Sequence, residues 1–229
     1  MQLINRLFAA SPHKSSAAVQ LSHWLAIFLL SLLGACNSPT PPGQPTEIGI
    51  VTESEGLPEV TRKNQTYILD TQARIYPGDI IRTDSRSRLK IRMRDATTLA
   101  LARDTHLVLH QYDDHQNAAP VARLSLSGGA LRTVTGAITR TRKPDFEIRT
   151  PLAVVGVRGT DFWTGFIFDD TNLDVAMFEG KGVYVRNDHG DVELQAAGFG
   201  TTVNPGAAPQ APRLWSARKI NAALTATDL

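Results

Sequence analysis

The 229-residue chain holds a single cysteine, Cys36. No internal disulfide can form, so the fold must stand on its apolar core alone. Acidic residues are absent from the first 35 positions, where Arg6 and Lys14 are the only full charges. The apolar stretch from Trp24 to Leu33 is well short of the roughly 20 residues that a membrane-spanning helix needs. Also missing are a Gly-x-Ser-x-Gly elbow, a His-Glu-x-x-His pair and a phosphate-cradling glycine loop, the signatures of common hydrolases, zinc proteases and nucleotide binders.

What the first 36 residues contain is an export signal: a positive start, a short apolar middle and small residues before Cys36. The ending Leu33-Gly34-Ala35-Cys36 resembles the lipobox of bacterial lipoproteins, which implies cleavage after residue 35 and a lipid-bearing Cys36. Several acyl chains on one residue hold a protein firmly at a membrane surface. Asn37 stands where some bacteria read Asp as an inner-membrane retention mark, so the expected address is the periplasmic side of the outer membrane. Once residues 1–35 leave, taking Arg6 and Lys14 with them, the 24 basic residues fall to 22 against 22 acidic ones. Such a balance excludes the strongly basic domain typical of nucleic-acid binders.

Residues 36–46 form a proline-rich tether, residues 47–203 one domain, and residues 204–229 a linker with a short helical tail. Within the domain, period-two alternation recurs in short pieces between turn residues, which is the all-β pattern. Pro77-Gly78-Asp79 is one such turn, and the Asp95 and Asp104 regions are others. Strand–turn units with the layout of Leu126 to Leu131 and Phe178 to Val183 fit a solenoid-like stack of short strands; a β-sandwich fits as well.

The segment from Ile148 to Phe162 reads Thr-Pro-x-Ala-x-x-x-x-Arg-Gly-Thr-Asp-Phe from Thr150 onward, which resembles the hallmark of the FecR periplasmic domain family. Gly78 to Thr83, Leu89 to Asp95, Leu124 to Gly129, Val175 to Val185 and Val192 to Gly198 resemble further blocks of that family in its order. The family usually has glycine after the aspartate of its second block, whereas this chain has Ala96. The resemblance implies a β-rich, solenoid-like periplasmic module that binds or senses something. Family signalling through iron citrate is not carried over, because the lipoprotein signal stands in place of a transmembrane segment. The hallmark residues Thr150, Pro151, Gly156, Arg158, Gly159, Thr160, Asp161 and Phe162 read mainly as structural. Pro151 bars helix at Thr150, the glycines allow close approach or positive φ, Thr160 and Asp161 cap local backbone donors, and Phe162 anchors the turn.

For binding, Arg86, Arg88, Lys90, Arg92 and Arg94 occupy alternate positions, so a strand would line one face with five cations about 6–7 Å apart. They are expected either to pair with acids on a neighbouring strand or to contact an anionic envelope glycan, a lipid phosphate or an acidic protein. His106, His110 and His115 with Asp113 and Asp114 raise the thought of a metal. However, His106 and His110 lie about 13 Å apart on an extended strand, too far for one ion. Asp79, Asp95, Asp161, Glu179 and Asp191 sit in turn-like contexts, where carboxylates serve structure. No catalytic residue, metal or cofactor is expected. The expected function is a lipid-anchored, non-enzymatic binding or scaffold module. An accessory in sigma-factor-linked signal transduction is the alternative, and an envelope polysaccharide enzyme comes third.

Overall fold

The computed structural model describes residues 46–114, 120–140 and 145–229. The expected signal peptide, Cys36, all of the tether but Thr46, and His115 lie outside the described residues. Residues Pro45–Leu229 form one compact unit, so the tail from 204 to 229 belongs to the same body as the strands. Among the described residues no helix is long and apolar enough to cross a membrane.

The chain enters through β1 (Gly49–Glu55), β2 (Glu59–Arg62), β3 (Gln65–Ile68), β4 (Arg74–Ile75), β5 (Ile80–Arg82) and β6 (Arg88–Met93). It continues through β7 (Thr98–Leu101), β8 (His106–Asp113), β9 (Val121–Gly128), β10 (Ala130–Val134), β11 (Asp145–Arg149) and β12 (Val154–Val157). The last strands are β13 (Thr160–Gly165), β14 (Leu173–Gly180), β15 (Val183–Asn187), β16 (Gly190–Leu194), β17 (Phe199–Val203) and β18 (Arg213–Leu214). A helix, α1 (Ala217–Thr227), ends the chain.

These strands make two sheets of nine, in the orders β18-β17-β14-β13-β10-β7-β6-β1-β4 and β16-β15-β12-β11-β9-β8-β5-β2-β3. Pairing is antiparallel except between β9 and β11, which run parallel. The chain shuttles between the sheets, usually one hairpin at a time, and strand order along each sheet largely follows chain order. The two expected architectures therefore meet: a sandwich in its layers, a processive stack in its winding.

Alternation sets the layers. On β6, Leu89, Ile91 and Met93 are buried while Arg88, Lys90 and Arg92 face outward. One core cluster joins the inward residues of both sheets, from Val51 and Leu99 on the first to Leu107, Val155 and Val185 on the second. A second, smaller cluster lies on the outer face of the first sheet, where Ala102, Ala130, Trp163 and Ala176 meet Trp215 and Ala223 of the tail.

Buried turns fix the joints. Asp79 is fully buried; it accepts from the Tyr76 amide (2.9 Å) and from both Arg62 nitrogens (2.6 and 2.7 Å). Asp95 accepts from the Thr97 amide and hydroxyl, the Ile138 amide and the Tyr112 hydroxyl. Burial, with Asp95 beside it, holds the Tyr112 hydroxyl far above its ordinary range. Ala96 has φ +68°, so alanine here takes the left-handed conformation that a glycine would adopt without strain.

Candidate functional site

The basic stripe falls on the outer face of β6, beside β1, whose acids oppose it in register: Arg88 faces Glu55 and Lys90 faces Glu53. Arg88 donates to Glu55 through two nitrogens, and this bond holds the Glu55 carboxyl below its usual range. Lys90 donates to Glu53 at 2.9 Å, and Arg94 pairs with Asp114, the residue after the end of β8. Arg88 also donates to the carbonyls of Thr225 and Asp228, so it holds the C-terminal end of α1. Arg86 lies 4.0 Å from Asp84, and Arg92 forms no ion pair among the described residues. Of the two expected uses, pairing with neighbouring acids accounts for Arg88, Lys90 and Arg94.

The hallmark runs from the end of β11 through β12 into β13. The Thr150 hydroxyl donates to the Ala153 carbonyl (2.8 Å) and accepts from the Leu152 and Ala153 amides, closing the turn that Pro151 begins. Gly159 has φ +63°, which an L side chain takes up only with strain. Phe162 is fully buried in the main core. Two expectations need correction. The Thr160 hydroxyl does not cap a local amide; it donates to the Gly182 carbonyl at 3.0 Å, tying β13 to the next hairpin. Asp161 forks with Arg132 across the β10–β13 pair (3.0 and 2.8 Å), because its side chain leaves the strand sideways toward a cation rather than along the backbone.

Gly156 is the third correction. Its φ is not positive, and a Cβ built on it would meet nothing nearer than the Phe146 carbonyl at 3.8 Å. It sits mid-strand on the outer face of the second sheet, between Glu147 of β11 and Tyr184 of β15. Over it opens a groove of about 740 Å³. The exposed Arg158 guanidinium stands 4.7 Å from the centre of the Tyr184 ring and forms no ion pair among the described residues. A hydrogen bond to Glu193 pushes the Tyr184 hydroxyl up; Gln195, then Tyr184, hold the Glu193 carboxyl down. Glu147 is shared among Arg123, Arg149 and Arg186 at 3.3–3.6 Å, whereas Asp191, on the groove's rim, has no ion pair among the described residues. Among the described residues the groove thus offers a cation without an ion pair, two carboxylates without one (Asp188 and Asp191) and an aromatic ring around a bare stretch of backbone.

Residues 79–181 match the family model described as FecR protein. Over this segment the chain resembles a FecR domain. Two crystal structures of a putative anti-sigma factor from Parabacteroides distasonis share the fold, at a TM-score of 0.50 and 18% identity in both cases. One alignment covers 62% of this chain and 63% of that one, the other 62% of each, so less than two thirds of the neighbour is spanned. No curated protein matches the chain. The FecR match begins at the Asp79 turn and contains the β6 stripe, the hallmark and the β12 side of the groove; β15 and β16 lie beyond it.

Other candidates in and beside the matched segment resolve into structure. His106 and His110 bond to Ser127 and Ser125 across β8–β9, and no group of three metal-ligating side chains occurs among the described residues. Trp163 is fully buried beneath Trp215 at a ring separation of 6.1 Å. Sequence reading missed Trp215, Tyr184 and the groove. The available signal for Tyr184 was its alternation with Val183 and Val185, which puts it outward; its pairing with Gly156 is a matter of register 28 residues apart.

Proposed function

We propose that this chain is a lipid-anchored periplasmic FecR-domain protein that works without catalysis, as a binding and scaffold module in sigma-factor-linked envelope signalling. The observation that carries this reading is the FecR match together with a two-sheet fold like that of a putative anti-sigma factor. It moves the signalling role from alternative to principal reading. In it, Cys36 carries the lipid and the outer membrane is the address. Arg86 and Arg92 remain available on the β6 side as a secondary contact for an anionic glycan, lipid or acidic protein.

The test is genetic. Deleting the gene is expected to change the transcripts of one extracytoplasmic sigma-factor regulon, and Cys36→Ser is expected to give the same change with the protein released in soluble form. An unaltered transcriptome in the deletion strain overturns the signalling role, and an unmodified Cys36 thiol by mass spectrometry overturns the anchor.

A further inference from the structure

The fold accounts for the hallmark except at two positions. Thr150 closes a turn, Gly159 needs positive φ, Thr160 and Asp161 bond across strands, and Phe162 fills the core. Gly156 has no such duty, and Arg158 does no more than lie over the Tyr184 ring. Glycine inside a strand weakens it and marks a place where something approaches the backbone. Among the described residues nothing does so at Gly156, where a Cβ would meet only a carbonyl at 3.8 Å. Arg158 stands exposed beside it and forms no ion pair among the described residues, although its charge helps to hold the Glu193 carboxyl down. The two residues that folding leaves unexplained line one groove.

The groove's lining selects the ligand class. Arg158 is a free, fork-shaped donor suited to a carboxylate. Asp191 is a free acceptor suited to hydroxyls. A simple anion would be repelled by Asp188 and Asp191, and a simple cation by Arg158. A molecule with one carboxylate and several hydroxyls satisfies both, and the half-buried Tyr184 ring gives a flat apolar surface for the C–H face of a sugar. With no side chain at Gly156, such a ring can settle onto the strand between Glu147 and Tyr184. We propose that this groove binds a carboxylate-bearing saccharide, with Arg158 on the carboxylate, Asp191 on hydroxyls and Tyr184 against the ring. The inference rests on the reading of the chain as an envelope binding module and gives that module its ligand class.

The test is titration calorimetry on the full chain in detergent, with a short oligogalacturonate, its methyl ester and a neutral oligosaccharide of equal length as probes. Binding of the uronate is expected, weakened at least about tenfold by esterification or by Arg158→Gln. Gly156→Val is expected to remove it while leaving the melting temperature no lower. Arg213→Gln, on β18 of the other sheet, is expected to bind as the parent does. No binding of the uronate, equal binding of ester and uronate, parent-like binding by Gly156→Val, or an equal loss in Arg213→Gln each overturns the proposal. The sigma-regulon assay separates this failure from that of the functional reading: a regulon that responds to gene deletion but not to Gly156→Val leaves the signalling role standing and removes the saccharide site.

Discussion

The outer faces of the two sheets are built from the same alternating strands, yet one is closed and the other open. On the first sheet, Ala102, Ala130 and Ala176 keep the surface low around Trp163, and Trp215 and α1 settle into that depression. Gly200 shows how tight the seat is: a Cβ there would lie 2.2 Å from the Trp215 ring nitrogen. On the second sheet the facing residues are Glu147, Tyr184 and Arg186, and among the described residues nothing lies above the glycine between them. Small residues beneath an aromatic side chain make a closed interface within the molecule. A single small residue among polar, partly unpaired side chains makes an opening onto solvent. The comparison teaches that a glycine's meaning on a sheet face depends on what its missing Cβ leaves room for.

The largest expected effect breaks the closed face. Trp215→Ala removes a nearly buried ring from the seat and is expected to cost about 3 kcal/mol, read as a lowered urea midpoint. The emission of Trp163 should shift to longer wavelength as water reaches it. An unchanged midpoint would mean that α1 contributes no stability where it lies. Gly200→Val attacks the same seat from below and is expected to cost about 2 kcal/mol by overpacking.

Smaller effects come from the clamp at the helix end. Arg88 reaches the last carbonyls of α1 and the Glu55 carboxylate together. Arg88→Gln is expected to lose about 1 kcal/mol, as for a cation removed from a helix C-terminus. The clamp also gives a pH dependence. Folding lowers the Glu55 pKa from 4.5, so its contribution is present above pH 4.5 and disappears as pH falls through the lowered value. Thermal melts between pH 6 and pH 3 should show a steeper loss in the parent than in Arg88→Gln; parallel curves would exclude the clamp.

How much of this was legible beforehand follows from the range of each interaction. Period-two alternation showed which side of β6 is apolar, since that depends only on neighbours in sequence, and Leu89, Ile91 and Met93 are inward as expected. The Thr150 turn was legible for the same reason: its bonds span three residues. The partners of the basic stripe were foreseeable in kind, acids on a neighbouring strand, but not in name, because Glu53 and Glu55 lie more than thirty residues upstream. Ala96 shows a local rule overridden, with the Asp95 bonds to Thr97, Ile138 and Tyr112 holding a conformation that alanine disfavours. The tail was read as a helix from its composition, and α1 confirms that much. That it covers Trp163 depends on Gly200, Trp215 and three alanines from separate strands, a coincidence no single window contains.

The smallest effect is the most discriminating, because it makes on the open face the same change that Gly200→Val makes on the closed one. Gly156→Val adds a β-branched side chain to an ordinary strand position with no atom within 3.8 Å of its Cβ. Relief of the glycine's extra backbone entropy should raise stability by about 0.5 kcal/mol, seen as a slightly higher urea midpoint. The two valine variants should thus move stability in opposite directions. A loss in Gly156→Val comparable to that in Gly200→Val would show that the groove is filled by the chain itself, and the contrast between the faces would collapse. A gain in stability at Gly156 would mean that glycine there lowers the stability of the folded protein, which is the expected mark of a position kept clear for something other than folding.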